Sequence, residues 1–203
     1  MNLRFVGDSA LLIEVPDSAA AQQLRRVLLE EHIAGVRELV PGYDTLLMEF
    51  DPLTLDTDKF LHRLPKLKEH PLRASPGREH EIELRYDGAD LEEVARLTGL
   101  ETMEVIRRHS AANYSVAFLG FAPGFPYLVG LDPALRVPRL KSPRTRVSAG
   151  SVAIAGEFAG IYPQATPGGW RVLGHTEAVL FDATRAEPAL LMPGDKVRFR
   201  PRP

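Results

Sequence analysis

Apolar positions in the opening third of the chain first alternate and then recur at helical spacing. Leu3–Val6 and Ala10–Val15 predict two short strands around a Gly7-Asp8 turn. Asp17 or Ser18 caps the following helix, whose Leu24, Val27 and Leu28 share one face, and Gly35 ends it. Val36–Val40 and Thr45–Phe50 predict a hairpin across Pro41-Gly42-Tyr43-Asp44. A second helix starts near Asp56, turns Phe60, Leu61 and Leu64 inward, and is stopped or bent by Pro65. These elements predict a compact α+β unit of ferredoxin-like type over residues 1–72, with no nameable catalytic group.

Pro71-Leu72-Arg73-Ala74-Ser75-Pro76-Gly77 punctuates two patterned regions and marks the expected boundary, placing a second domain over 78–203. Glu79–Tyr86 alternates polar with apolar, as a strand with one wet face does. Asp90 is expected to cap a short helix, with Glu93 completing a capping box, Leu91, Val94 and Ala95 buried, and Gly99 closing it. A further helix spans roughly Thr102 to Ser110. From Asn113 the pattern is strands and loops, with strands at Val179–Phe181 and Lys196–Phe199 and a Pro193-Gly194-Asp195 turn before the last.

Composition sharpens the picture in one place. Phe118–Thr176 holds nine of the sixteen glycines, seven of the seventeen prolines and the sole tryptophan, Trp170. Six Arg/Lys residues there face two acids, although the whole chain carries a net charge of −2. Apolar runs such as Ser151-Val152-Ala153-Ile154-Ala155 argue against a flexible linker and for strands joined by fixed, backbone-rich loops, as a preformed small-molecule site needs. The near-neutral charge gives no case for nucleic-acid binding. No run approaches about 18 apolar residues, so no membrane span is expected. Zero cysteines exclude disulfides and thiolate sites. No signal peptide is visible, and the expected location is the cytoplasm.

Several side chains in this region are candidates for chemistry. His109 shares the inward face of Val105 and Ile106, as a core histidine or as the floor of the site. Phe121-Ala122-Pro123-Gly124-Phe125-Pro126-Tyr127 sets aromatics around a fixed turn, either a rigid corner or a pocket wall with Gly124 and Phe125 N–H groups as anion donors. Arg139, Lys141, Arg144 and Arg146 alternate and would share a face if extended, though Pro138 and Pro143 favour a held loop. A solvated surface is the plain reading, and an anion site at Arg139 or Arg144 the functional one. Thr166-Pro167-Gly168-Gly169-Trp170 and Gly174-His175-Thr176 bracket a short strand; His175 is an acid/base candidate, and Ser151 offers a hydroxyl. No G-x-x-x-x-G-K-[ST], H-E-x-x-H or G-x-S-x-G occurs, so no Walker loop, recognisable metal site or serine-hydrolase elbow is expected.

Taken together, Gly120–Leu128, Pro138-Arg139, Pro143-Arg144, Ala149–Gly156, Gly160–Trp170 and Gly174–Thr176 are specific. With them the chain resembles the B-component family of 5-oxoprolinase, also known as Kip inhibitor or allophanate hydrolase subunit 1. The likeness runs over nearly the full chain, with Tyr86–Leu91 shortened and Ser148 standing where the family commonly has proline. It implies a cyclophilin-like β-barrel after the ferredoxin-like domain. It also implies ATP-dependent opening of 5-oxoproline to glutamate, with the barrel-bearing C-component and the A-component of 5-oxoprolinase as partners. ATP would be a co-substrate with Mg, and no tightly bound cofactor is expected. The site expected on this likeness and the residues above comprises His175 and His109 as catalytic candidates. Gly124, Phe125, Tyr127, Arg139, Arg144, Ser151, Thr166, Gly168, Gly169 and Thr176 are the binding candidates. The alternatives are inhibition of a sensor histidine kinase, or a role with another small amide of the allophanate hydrolase or urea carboxylase type. Prolyl isomerisation, suggested by barrel likeness alone, lacks a motif.

Overall fold

The computed structural model describes residues 2–68 and 77–202, so the expected boundary segment lies, Gly77 apart, outside the described residues. The chain divides into two compact units, Met1–Pro76 and Gly77–Pro203.

The first unit runs β1 (Leu3–Phe5), β2 (Ala10–Glu14), α1 (Ser18–Glu30), β3 (Val36–Pro41), β4 (Thr45–Phe50) and α2 (Thr57–Lys68). Its sheet has the order β1-β2-β4-β3 and is antiparallel throughout. β2 and β3 flank β4 as in the split βαβ of ferredoxin-like folds, and the N-terminal hairpin strand β1 fills the fourth place. Ile13, Leu46 and Met48 meet Leu24 and Leu64 in a dry core. Asp17 caps α1, accepting from the Ala20 N–H at 2.8 Å.

One helix ends earlier than expected, and the other is not stopped by its proline. α1 ends at Glu30, ahead of Gly35, because His32 and Gly35 both take positive φ and turn the chain toward β3. α2 continues through Pro65 to Lys68, since Leu64 and Leu67 on either side are buried and their packing offsets the lost hydrogen bond.

The second unit comprises β5 (Glu79–Arg85), α3 (Leu91–Thr98), α4 (Thr102–Ala111), β6 (Tyr114–Leu119), β7 (Pro126–Val129), β8 (Arg144–Val147), β9 (Ser151–Ala155), β10 (Phe158–Ile161), β11 (Thr166–Gly168), β12 (Arg171–His175) and β13 (Lys196–Arg202). Seven strands close a barrel in the order β10-β7-β6-β13-β5-β12-β9, and β8 with β11 forms a separate ribbon. β13 pairs with β5 in parallel, whereas the other barrel pairs are antiparallel. Leu84, Val116, Leu128, Val152, Ile154 and Leu173 fill the interior, joined by Val94 of α3 and Val105 of α4. The expected strand at Val179–Phe181 is a loop instead. Leu190 N–H to Leu180 O and Asp182 N–H to Pro188 O pin it, and Phe181 makes only an isolated bridge to Ala189.

His109 on α4 lies in this interior, fully buried and stacked 4.8 Å from the Phe199 ring. Its Nδ1 shares a hydrogen with the Tyr86 hydroxyl at 2.8 Å, and its Nε2 has no hydrogen-bond partner. Burial lowers its pKa to about 3, because the imidazolium would lose its hydration. A folded pKa below the unfolded one means that stability is full above about pH 6.5 and falls as the solution is acidified toward the folded value. Between pH 7 and 5 the wild type should lose about 2 kcal/mol to this group. In urea unfolding at the two pH values, His109→Phe should lose correspondingly less.

Candidate functional site

β9 is buried along its whole length, so it is covered on both faces. Val152 and Ile154 point into the barrel, while Ala153 and Ala155 point out to a second apolar cluster with Phe125, Val147, Tyr162 and Trp170. Two small methyl groups leave room for rings to lie against the sheet. Phe125 takes the centre, with ring centroids 5.1 Å from Tyr162, 5.2 Å from Tyr127 and 5.5 Å from Trp170. Tyr162 and Trp170 meet Phe125 edge-to-face, the arrangement that the aromatic quadrupole favours, and Tyr127 is tilted at 60° to it. The rings, with Arg139, Gly168 and Gly169, enclose a recess of about 80 Å³.

The loop before β7 sets the rim. Gly124 takes φ 76° against Phe181, where an added Cβ would come within 2.7 Å of that side chain. The Phe125 N–H, an expected anion donor, is instead bound to Ala122 O at 3.0 Å within the turn. Phe121 has φ 67°, and the Ala122 N–H reaches Gly120 O at 2.7 Å across it. That is a γ-turn of the rare, strained hand. It carries an aromatic ring that is 61% exposed, edge-on to Phe125 and Tyr162.

Arg139 is held over the opposite side. The Leu140 N–H donates to Gly169 O at 2.7 Å and Arg171 Nε to Pro138 O, tying the Arg139 loop to the glycine turn. The Arg139 guanidinium carbon lies 5.8 Å from the centroid of the Trp170 ring. Gly168 is needed for close approach, since a Cβ there would stand 2.3 Å from the Tyr162 hydroxyl. Burial raises the pKa of both Tyr127 and Tyr162 against the opposing field of Arg139, so both phenols keep their protons at neutral pH.

Arg144 is placed differently from Arg139. Its guanidinium forks onto the Asp90 carboxylate at 2.9 and 2.7 Å, and Asp90 also accepts the Val172 N–H at 2.7 Å. This overturns the capping box: Asp90 makes no side-chain cap bond, and Glu93 pairs with Arg96. The buried carboxylate is better satisfied by a bidentate cation than by a helix end. The pair joins α3 to the β8–β11 ribbon and β12, and it raises the Arg144 pKa through the Asp90 hydrogen bonds. The four alternating cations therefore do not share a face.

The remaining candidates lie elsewhere. His175 and Thr176 line a separate groove of about 400 Å³ with Glu81, Glu83, Arg85 and Arg202. Ser151 is buried at the start of β9 opposite His175, and Thr176 donates its N–H to Gly150 O. The Thr166 hydroxyl oxygen is buried in β11 without a hydrogen-bond partner. His109 lines neither cavity. The structure thus brings together Phe125, Tyr127, Arg139, Gly168 and Gly169 with Phe121 of the expected pocket-wall run, and adds Tyr162 and Trp170, which were not among the expected binding residues. Tyr162 and Trp170 both lie inside the Gly160–Trp170 motif; ring-bearing positions flanking its glycines were the signal that could have found them. Among the described residues, no group of three or more histidines or acids is placed to hold a metal ion. No helix among them is long and apolar enough to cross a membrane.

Arg144→Ala should destabilise the protein by about 2 kcal/mol or more, because it strands the Asp90 carboxylate, while Arg139→Ala should stay within about 0.5 kcal/mol of wild type. Chemical denaturation checks both. At Phe121 the backbone prefers glycine, so Phe121→Gly should be more stable than Phe121→Ala by about 1 kcal/mol in the same assay.

Residues 1–191 match the family model described as carboxyltransferase domain, subdomain C and D. The chain is 42% identical over 207 residues to the 5-oxoprolinase B-component of Escherichia coli O157:H7, covering 97% of this chain and 94% of that one. It is 38% identical to the Haemophilus influenzae protein of the same name, covering 98% and 97%. Among solved structures, TTHA0988 aligns with a TM-score of 0.84 and 39% identity, over 96% of this chain and 40% of that one, so this chain spans less than half of that polypeptide. A conserved uncharacterised protein of Pyrococcus horikoshii, PH0987, aligns with a TM-score of 0.60 and 36% identity, covering 99% and 97%. The urea amidolyase of K. lactis, at 21% identity and a TM-score of 0.76, shares the fold over 15% of its length. The family-model match and near-full-length identity of this order make the chain a member of the B-component family of 5-oxoprolinase.

Proposed function

We propose that this chain is the B-component of an ATP-dependent 5-oxoprolinase, and that the Arg139 recess is its share of the substrate site. The observation that carries this reading is the 42% identity to a 5-oxoprolinase B-component along almost the whole of both chains. The recess supports it chemically. A lactam is a stable amide, and transfer of a phosphoryl group to its carbonyl oxygen turns that oxygen into a leaving group. Such a site needs a cation, hydrogen-bond donors and walls that keep water from the activated carbon. Arg139, the protonated hydroxyls of Tyr127 and Tyr162, and the surrounding rings are of that kind.

The recess is small. A volume of about 80 Å³ is well short of the roughly 300 Å³ at which small-molecule sites begin. It is one wall of a site that other polypeptides complete, and the C- and A-components of 5-oxoprolinase are the partners this reading assigns. The described residues do not fit a protein-held Mg²⁺, because no cluster of acids lies near the recess. ATP, with any Mg²⁺ on its phosphates, falls to the completed assembly. His175, on its separate groove, takes no catalytic role in this reading.

The test is 5-oxoproline-dependent ATP hydrolysis by the complex assembled from this chain and its partner components. Activity should require all of them, and Tyr162→Phe should lower it by about tenfold or more while the complex still forms on size-exclusion chromatography. A correctly assembled complex without activity overturns the reading.

A further inference from the structure

The recess has a polarity that its residues impose on any occupant. Arg171 lies 4.0 Å from Glu93 and Arg144 is forked onto Asp90, yet no carboxylate of the described residues pairs with Arg139. No acidic side chain lines the recess. Its phenols are neutral because burial raises their pKa even beside Arg139. The site therefore offers one unneutralised guanidinium and two hydroxyls over apolar ring faces. The Arg139 guanidinium lies over the Trp170 ring, and its planar fork suits a carboxylate through two parallel hydrogen bonds.

We propose that the recess selects a small ring bearing a carboxylate, with Arg139 taking the carboxylate and Phe121, Tyr127 and Trp170 taking the carbon face of the ring. Resting on the 5-oxoprolinase reading, this makes Arg139 the residue by which the site distinguishes 5-oxoproline from its uncharged carboxamide. The lactam carbonyl, on the other side of the ring nitrogen, is then left toward the open side for the phosphoryl donor. Phe121 is held at the rim in its strained turn, where its exposed ring extends the apolar wall beyond the small recess.

The assembled complex, assayed for ATP hydrolysis with 5-oxoproline and with 5-oxoprolinamide, separates the outcomes. Wild type should prefer the acid by about 100-fold in kcat/KM, as a site built around a charged hydrogen-bonding partner does. Arg139→Gln should raise KM for 5-oxoproline by about 30-fold or more, leave KM for ATP unchanged and reduce the acid preference to within about fivefold. Arg139→Lys should recover part of that preference. A shift of KM for ATP instead, or a kcat loss with the preference intact, overturns the assignment. Occupancy is also read without turnover, because Trp170 is the only tryptophan of the chain. Its fluorescence in the complex, with the Trp170→Phe complex as blank, should change saturably with 5-oxoproline and not with the amide. Arg139→Gln should abolish the change. An equal response to both compounds, or none, overturns the proposal. A selective response without ATP hydrolysis sinks the 5-oxoprolinase reading and leaves the carboxylate assignment standing.

Discussion

The second unit depends on a strand that has no wet face. β9 must satisfy the barrel on one side and a layer of rings on the other, and its sequence does so by alternating size within an apolar run. Val152 and Ile154 are bulky enough to fill the interior of a seven-stranded barrel. Ala153 and Ala155 are small enough that Phe125, Tyr162 and Trp170 can approach the sheet. Larger residues at the two alanine positions would lift the rings away, since a close-packed layer tolerates little added volume. The recess follows from that alternation.

The strongly patterned elements were legible in the sequence. Period-two runs marked β2, β4 and β5, and helical spacing marked α1, α3 and α4 with His109 and Val105 on a common buried face. What escaped were pairings between distant residues. Asp90 and Arg144 lie 54 positions apart, and each alone had a plausible local role, as a helix cap and as a surface cation. Glycine and proline density marked the right stretch, but it does not say what approaches the glycine; at Gly168 it is the Tyr162 hydroxyl of the same chain. His175 and Gly168 are separated by seven positions and by β12, which delivers His175 to a different groove from the aromatic recess.

The cationic excess of the middle stretch resolves into separate tasks. Arg144 is structural, Arg171 leans on Pro138 O and Glu93, and Arg139 stands over the recess. Arg136, Lys141 and Arg146 are exposed, as is the Arg139 side chain itself. A local charge total thus overstates the field at any one point, because it counts a cation neutralised at 2.7 Å the same as one with no anionic neighbour.

The parallel pairing of β13 with β5 sets the order of events on the ribosome. β5 begins at Glu79, and β13 (Lys196–Arg202) fills the place between it and β6, so two seams of the barrel stay open until β13 has been made. The N-terminal unit can settle while the rest is still being made, whereas the strands from β5 onward wait with unpaired edges. Removing Lys196–Arg202 would therefore open the cylinder, and chaperone demand during synthesis should fall on this unit.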